Sequence, residues 1–113
     1  MDVTQKDIEK LARALEEWQG GPISFNSFKD DHDRLILSLG CPRGEKESVG
    51  MSLFYCSYIS GPVRWENSQL ELSLANLDDG VVGIEVRDSR AGFLARCASI
   101  SLFGQPGVTI PSS

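Results

Sequence analysis

Asp30-Asp31-His32-Asp33 is the densest run of potential metal ligands in this chain, and it contains the single histidine. Carboxylates on a loop can hold a hard divalent cation, and an imidazole can add a nitrogen. A calcium loop, however, spreads its oxygens over about a dozen residues, with a central glycine and a distal acid. This run is too short, and Leu35 begins an apolar alternation at once. Aspartate is also a favoured turn residue, because its side chain bonds the local backbone. The expectation is an acidic hairpin turn, with no metal and no cofactor.

Nucleophilic catalysis has three thiols to draw on, Cys41, Cys56 and Cys97. A thiol nucleophile needs an imidazole within hydrogen-bond reach. His32 precedes one extended segment and Cys41 follows it, and at about 3.3 Å per residue the two stand roughly 20 Å apart. Cys56 or Cys97 would have to reach the same acidic turn. Serine hydrolysis meets the same single-histidine limit, and no Gly-x-Ser-x-Gly elbow is present. Glu71 and Glu85 occupy outward positions of neighbouring strands and can approach across a sheet, but such carboxylates ordinarily solvate a wet face.

Phosphate-binding signatures are missing too. Gly80-Val81-Val82-Gly83 lacks the lysine and following helix of a P-loop. The Arg87-Asp88-Ser89-Arg90-Ala91-Gly92 segment reads as a hairpin with charged flanks, and no zinc spacing of Cys and His exists. No catalytic residue is assigned. What remains is surface: Phe54, Tyr55, Tyr58, Trp65 and Phe93 are the expected partner- or ligand-binding residues, since aromatic side chains combine large apolar area with, in Tyr and Trp, a polar handle.

The elements that carry these residues follow from periodicity. Ile8, Leu11, Ala12, Leu15 and Trp18 recur at helical spacing. Thr4 and Asp7 resemble a capping box, and Val3 with Ile8 a hydrophobic staple. Gly20-Gly21-Pro22 ends the element, predicting a helix over Thr4 to Gln19. From Ile23 the period becomes two. Strands are expected at Ile23 to Phe28, around Leu35 to Leu39, at Val49 to Ser60, around Leu70 to Leu74, around Val82 to Val86, and at Phe93 to Phe103. Asp78-Asp79-Gly80 marks a turn, Cys41 to Ser48 an exposed loop, and residues 105–113 a loose tail beyond a single domain spanning 1–104.

Two of these strands are apolar on both faces. In Val49 to Ser60, Leu53, Tyr55 and Ile59 alternate with Phe54, Cys56 and Tyr58; Phe93 to Phe103 repeats the pattern in milder form. A one-sided antiparallel sheet has no need of the second face, so something beyond the helix must cover it: the same chain, a second copy or a ligand. Short connections favour antiparallel neighbours. The expected architecture is α+β, a helix packed on one face of a curved, mostly antiparallel meander of five to six strands. A β-sandwich or partial barrel with an appended helix is the alternative.

The chain has 113 residues and a formal net charge of −5, with a pI near 4.7. Its lysines and arginines form no basic stripe, which argues against a nucleic-acid surface. No apolar run approaches the length of a membrane span, and the N-terminus is polar and acidic, so a cytoplasmic protein with free thiols rather than a Cys56–Cys97 disulfide is expected. The functional expectation is a small non-enzymatic interaction protein: self-associating, or an acidic inhibitor or immunity-type partner of a basic protein. The alternative is a small-molecule cup or modest enzyme with its pocket between helix and sheet.

Overall fold

The computed structural model describes residues 3–42, 44, 48–77 and 80–103. Part of the expected loop at 41–48, Asp78 and Asp79 of the expected turn, and the whole expected tail at 105–113 lie outside them.

The helix, α1, spans Gln5–Leu15 and runs on through a 3-10 turn at Glu16–Trp18. Its start is the anticipated capping box. The Thr4 N–H donates to Asp7 Oδ2 at 3.0 Å and the Asp7 N–H donates to Thr4 Oγ1 at 3.3 Å, satisfying donors that a helix N-terminus leaves open. Its end is set by Gly20 at φ 88° and by Gly21, where a Cβ would collide with the Gly40 carbonyl. The amide of Gln19 then replaces a strand partner for Leu70. Its Nε2 donates to the Leu70 carbonyl and its Oε1 accepts from the Leu70 N–H, both at 2.9 Å.

Nine strands follow among the described residues: β1 (Ile23–Lys29), β2 (Arg34–Leu39), β3 (Val49–Phe54), β4 (Tyr58–Ser60), β5 (Arg64–Trp65), β6 (Glu71–Asn76), β7 (Val82–Asp88), β8 (Phe93–Cys97) and β9 (Ser99–Phe103). They form two antiparallel sheets, ordered β5-β1-β2-β3-β9 and β4-β8-β7-β6. The α+β expectation holds, and the choice between one curved sheet and a sandwich-like arrangement resolves into something of both. β3 and β4 are consecutive parts of one expected strand, and β8 and β9 of another. Each pair starts in one sheet and finishes in the other, β3 against β9 and β4 against β8.

This explains the two apolar faces. The expected regular alternation over Val49 to Ser60 does not hold, because the strand is interrupted at Tyr55–Ser57. Ala98 donates to the Phe54 carbonyl and Ser57 to the Arg96 carbonyl, both at 2.9 Å. Between these bonds, Tyr55 and Cys56 oppose the single residue Cys97. That is a β-bulge, which bends a strand and changes the face its later residues present. On the partner strand, Phe93, Ala95 and Cys97 are buried before Ala98, and Ile100 and Leu102 after it. Both parities point inward because the sheet turns a corner between them.

The enclosed core is continuous. Ile8, Leu11, Leu15 and Trp18 from the helical segment meet Leu35, Leu37, Met51 and Leu53 of one sheet and Ile84, Val86 and Ala95 of the other. α1 packs against β6, and the Val3 N–H donates to the Val82 carbonyl at 3.0 Å, so the helix covers the side of the core flanked by the outermost strand of the second sheet. No helix among the described residues is long and apolar enough to cross a membrane.

Candidate functional site

The bulged corner gathers residues that sequence spacing kept apart. The hairpin turn between β1 and β2 sits beside it. The Tyr55 N–H donates to the His32 carbonyl at 2.7 Å, and the Cys56 N–H donates to the Asp33 carbonyl at 3.0 Å. Side chains add a second layer: Tyr55 Oη lies 2.9 Å from His32 Nδ1, and His32 Nε2 lies 3.2 Å from Asp31 Oδ1. The His32 and Tyr55 rings meet edge to face, with centroids 5.4 Å apart. His32, Asp33 and Tyr55 all take left-handed backbone, with φ of 61°, 44° and 55°. Such strain in non-glycine residues persists where the surroundings over-determine it.

Beneath this exposed layer lie two thiols. Cys56 is half-buried and Cys97 fully buried, and both are free. Cys56 Sγ lies 3.5 Å from the Leu53 carbonyl oxygen, to which its thiol donates. A hydrogen bond from the Cys97 thiol holds Cys56 below the ordinary thiol range, against the opposing effect of burial; the Leu35 N–H helps and the Asp33 carboxylate opposes. Burial pushes Cys97 well up, and its contact with Cys56 adds to this. The pair thus consists of one acidified, partly accessible sulfur and one neutral buried donor.

The five expected surface residues divide. Tyr55 and Tyr58 are exposed and Phe54 is half-buried, whereas Trp65 and Phe93 belong to the core at 8 % and 3 % exposure. Their rings stack with centroids 4.8 Å apart. Trp65 Nε1 donates to Asp88 Oδ2 at 2.8 Å, the Gln69 N–H donates to the same oxygen at 2.8 Å, and the Ala91 N–H donates to Oδ1 at 3.3 Å. A cleft of about 260 Å³ opens beside this knot, lined by Trp65, Glu66, Asn67, Asp88, Arg90 and Ala91. Both oxygens of Asp88 are already engaged by donors of the fold. Tyr55 and Tyr58 do not line the cleft.

No family matches. Comparison with family models, with curated proteins and with solved structures finds nothing similar to this chain.

The remaining candidates have structural partners. In register, Glu71 faces Arg87 and Glu85 faces Ser73, so the two glutamates are diagonal neighbours. Glu85 is held by Arg96 at 3.1 Å and Arg87 at 3.4 Å, and Arg96 lies over the Tyr58 ring at 5.5 Å. Among the described residues no three His, Cys, Asp or Glu side chains converge to hold a metal ion.

The clearest feature is a surface of which the sequence pointed only to Tyr55 and Tyr58. Among the described residues, six of the eight exposed large apolar side chains (Phe25, Phe28, Tyr55, Tyr58, Ile59 and Val63) lie on β1 or between Tyr55 and Val63. Two main-chain bonds fasten these stretches together, Tyr55 N–H to the His32 carbonyl at one end and Phe25 N–H to the Val63 carbonyl, 2.6 Å, at the other. Phe25 and Phe28 are three apart, a spacing that strand alternation would send to opposite faces. The register shift between Phe25 and Ser27 restores them to one face, where they pair with Leu37 and Leu35.

Proposed function

We propose that this chain is a non-enzymatic protein-binding module whose contact surface is the apolar rim formed by β1 and the Tyr55–Val63 stretch. The observation that carries this reading is the concentration of exposed apolar side chains there. Monomeric proteins seldom concentrate exposed large apolar side chains in one region unless it binds something. The partner it fits is a basic protein surface. Asp30, Asp31 and Asp33 are exposed at the end of the rim next to Phe28, and the whole chain carries a net charge of −5, which steers a cationic partner toward the apolar contact. β4 supplies an open strand edge in the same region, its three residues all exposed, so an extended segment can add to it by main-chain hydrogen bonds.

Comparing the tagged wild-type chain with a Phe28→Ser/Val63→Ser variant of unchanged circular dichroism tests this reading. Retention of a basic protein by the wild type and its loss from the variant support it. A chain that light scattering shows to be a monomer, with no partner sensitive to these substitutions, overturns it. A homodimer that the same substitutions dissolve replaces the basic partner with a second copy.

A further inference from the structure

We propose that Cys56 and Cys97 form a thiol modification site that takes a low-molecular-weight disulfide of the glutathione type and closes into an intramolecular disulfide across the bulge. The geometry supplies the pairing. The bonds Ala98 N–H to Phe54 carbonyl and Ser57 N–H to Arg96 carbonyl bracket the two cysteines, leaving Cys97 across from the bulged pair Tyr55 and Cys56. Opposed residues of an antiparallel pair have Cα atoms about 4.5–5.5 Å apart, inside the span that a disulfide bridges. Both side chains sit on the core side: Cys97 belongs to the buried cluster and Cys56 packs against it.

The asymmetry of the pair assigns the roles. Cys56 is partly accessible and acidified by its neighbour, so its thiolate attacks one sulfur of the oxidant. A Cys56–glutathione bond forms, the oxidant's S–S bond breaks, and one glutathione thiolate leaves. Cys97 is buried, too enclosed to meet the oxidant first. Its sulfur then attacks Cys56 Sγ, its proton passes to the departing second glutathione, and the protein disulfide closes. In total the two protein thiols give up two electrons and two protons, and one disulfide becomes two thiols.

Oxidised glutathione under nitrogen, with the reduced full-length chain in its native state, tests the assignment. Intact mass and peptide mapping follow after the remaining thiols are blocked with iodoacetamide. The wild type is expected to lose the mass of two hydrogens, to link Cys56 to Cys97, and to carry the alkyl label on Cys41; dithiothreitol reverses the link. Cys97→Ser is expected to stop at a glutathione adduct on Cys56. Should that variant fail to fold, the wild-type map still decides. A stable glutathione adduct on wild-type Cys56, a bridge through Cys41, or no reaction overturns the proposal.

Discussion

The Tyr55 hydroxyl lies 2.9 Å from His32 Nδ1, while the Tyr55 N–H donates to the carbonyl of the same histidine at 2.7 Å. Tyr55 is therefore clamped twice, by main chain and by side chain, in a backbone region that glycine normally occupies. The first residue of a bulge of this kind is ordinarily a glycine, and a left-handed non-glycine residue costs about 1–2 kcal/mol. Comparing Tyr55→Gly with Tyr55→Ala separates backbone from side chain, because both lose the ring. The glycine variant is expected to be the more stable, by about 1 kcal/mol, the reverse of the usual order inside a strand. Urea unfolding of the two checks it.

Cys56 is acidified by the Cys97 thiol, and the charge of the exposed Asp33 carboxylate works in the opposite direction. A lowered pKa means that the thiolate persists to lower pH, so the Cys56 alkylation rate should rise at a pH below that of a free thiol. Asp33→Asn removes a negative charge that disfavours the thiolate and keeps a residue that tolerates φ 44°. Its pH–rate profile should move further down in pH, giving faster iodoacetamide labelling at neutral pH; an upward move would contradict the assignment.

Asp88 is 1 % exposed and accepts from Trp65, Gln69 and Ala91. Asp88→Ala strands three donors at the edge of the core, and a loss of about 3 kcal/mol follows from the worth of hydrogen bonds to a charged, buried acceptor. Trp65 fluorescence should shift red in the variant's native state, since its indole N–H loses its partner. Urea denaturation measures the first effect and emission the second.

At the helix, Thr4→Ala removes the cap acceptor and should cost about 1 kcal/mol. Leu11→Ala empties a site of 0 % exposure and should cost about 3 kcal/mol. Chemical denaturation midpoints rank the two.

These elements differ in how openly the sequence declares them. The helix start was legible because Thr4 and Asp7 act on each other across three residues, a purely local event. The inward residues Ile84 and Val86 of β7 were legible through strict alternation, whereas the same pattern misplaced Leu74 of β6, which is 39 % exposed. The bulge at Tyr55 was not, because nothing in Phe54-Tyr55-Cys56 marks a left-handed residue; glycine, the usual signal, is absent. Missing it made two strands look doubly apolar along their whole length, whereas the first of them buries Met51 and Leu53 before the corner and leaves Tyr55, Tyr58 and Ile59 exposed from it onward. Trp65 and Phe93 were expected at a surface since their mutual stack joins residues far apart in the chain, which periodicity cannot sense. The meeting of His32 with Tyr55, and of Cys56 with Cys97, depends on the same long-range pairing. Phe25 and Phe28 escaped notice because their spacing makes a shared face only once the irregularity between them is known.

The corner also governs how this molecule comes apart. β3 with β4, and β8 with β9, each belong to both sheets, so neither sheet can open while the other keeps its ladder whole. Local fraying is expected at the outermost strands, β5 and β9 of one sheet and β4 and β6 of the other, and the central amides should exchange with deuterium only through complete unfolding. A single cooperative transition, with the Cys97 and Leu53 amides among the slowest to exchange, is the thermodynamic signature of two strands that serve as a common hinge pin.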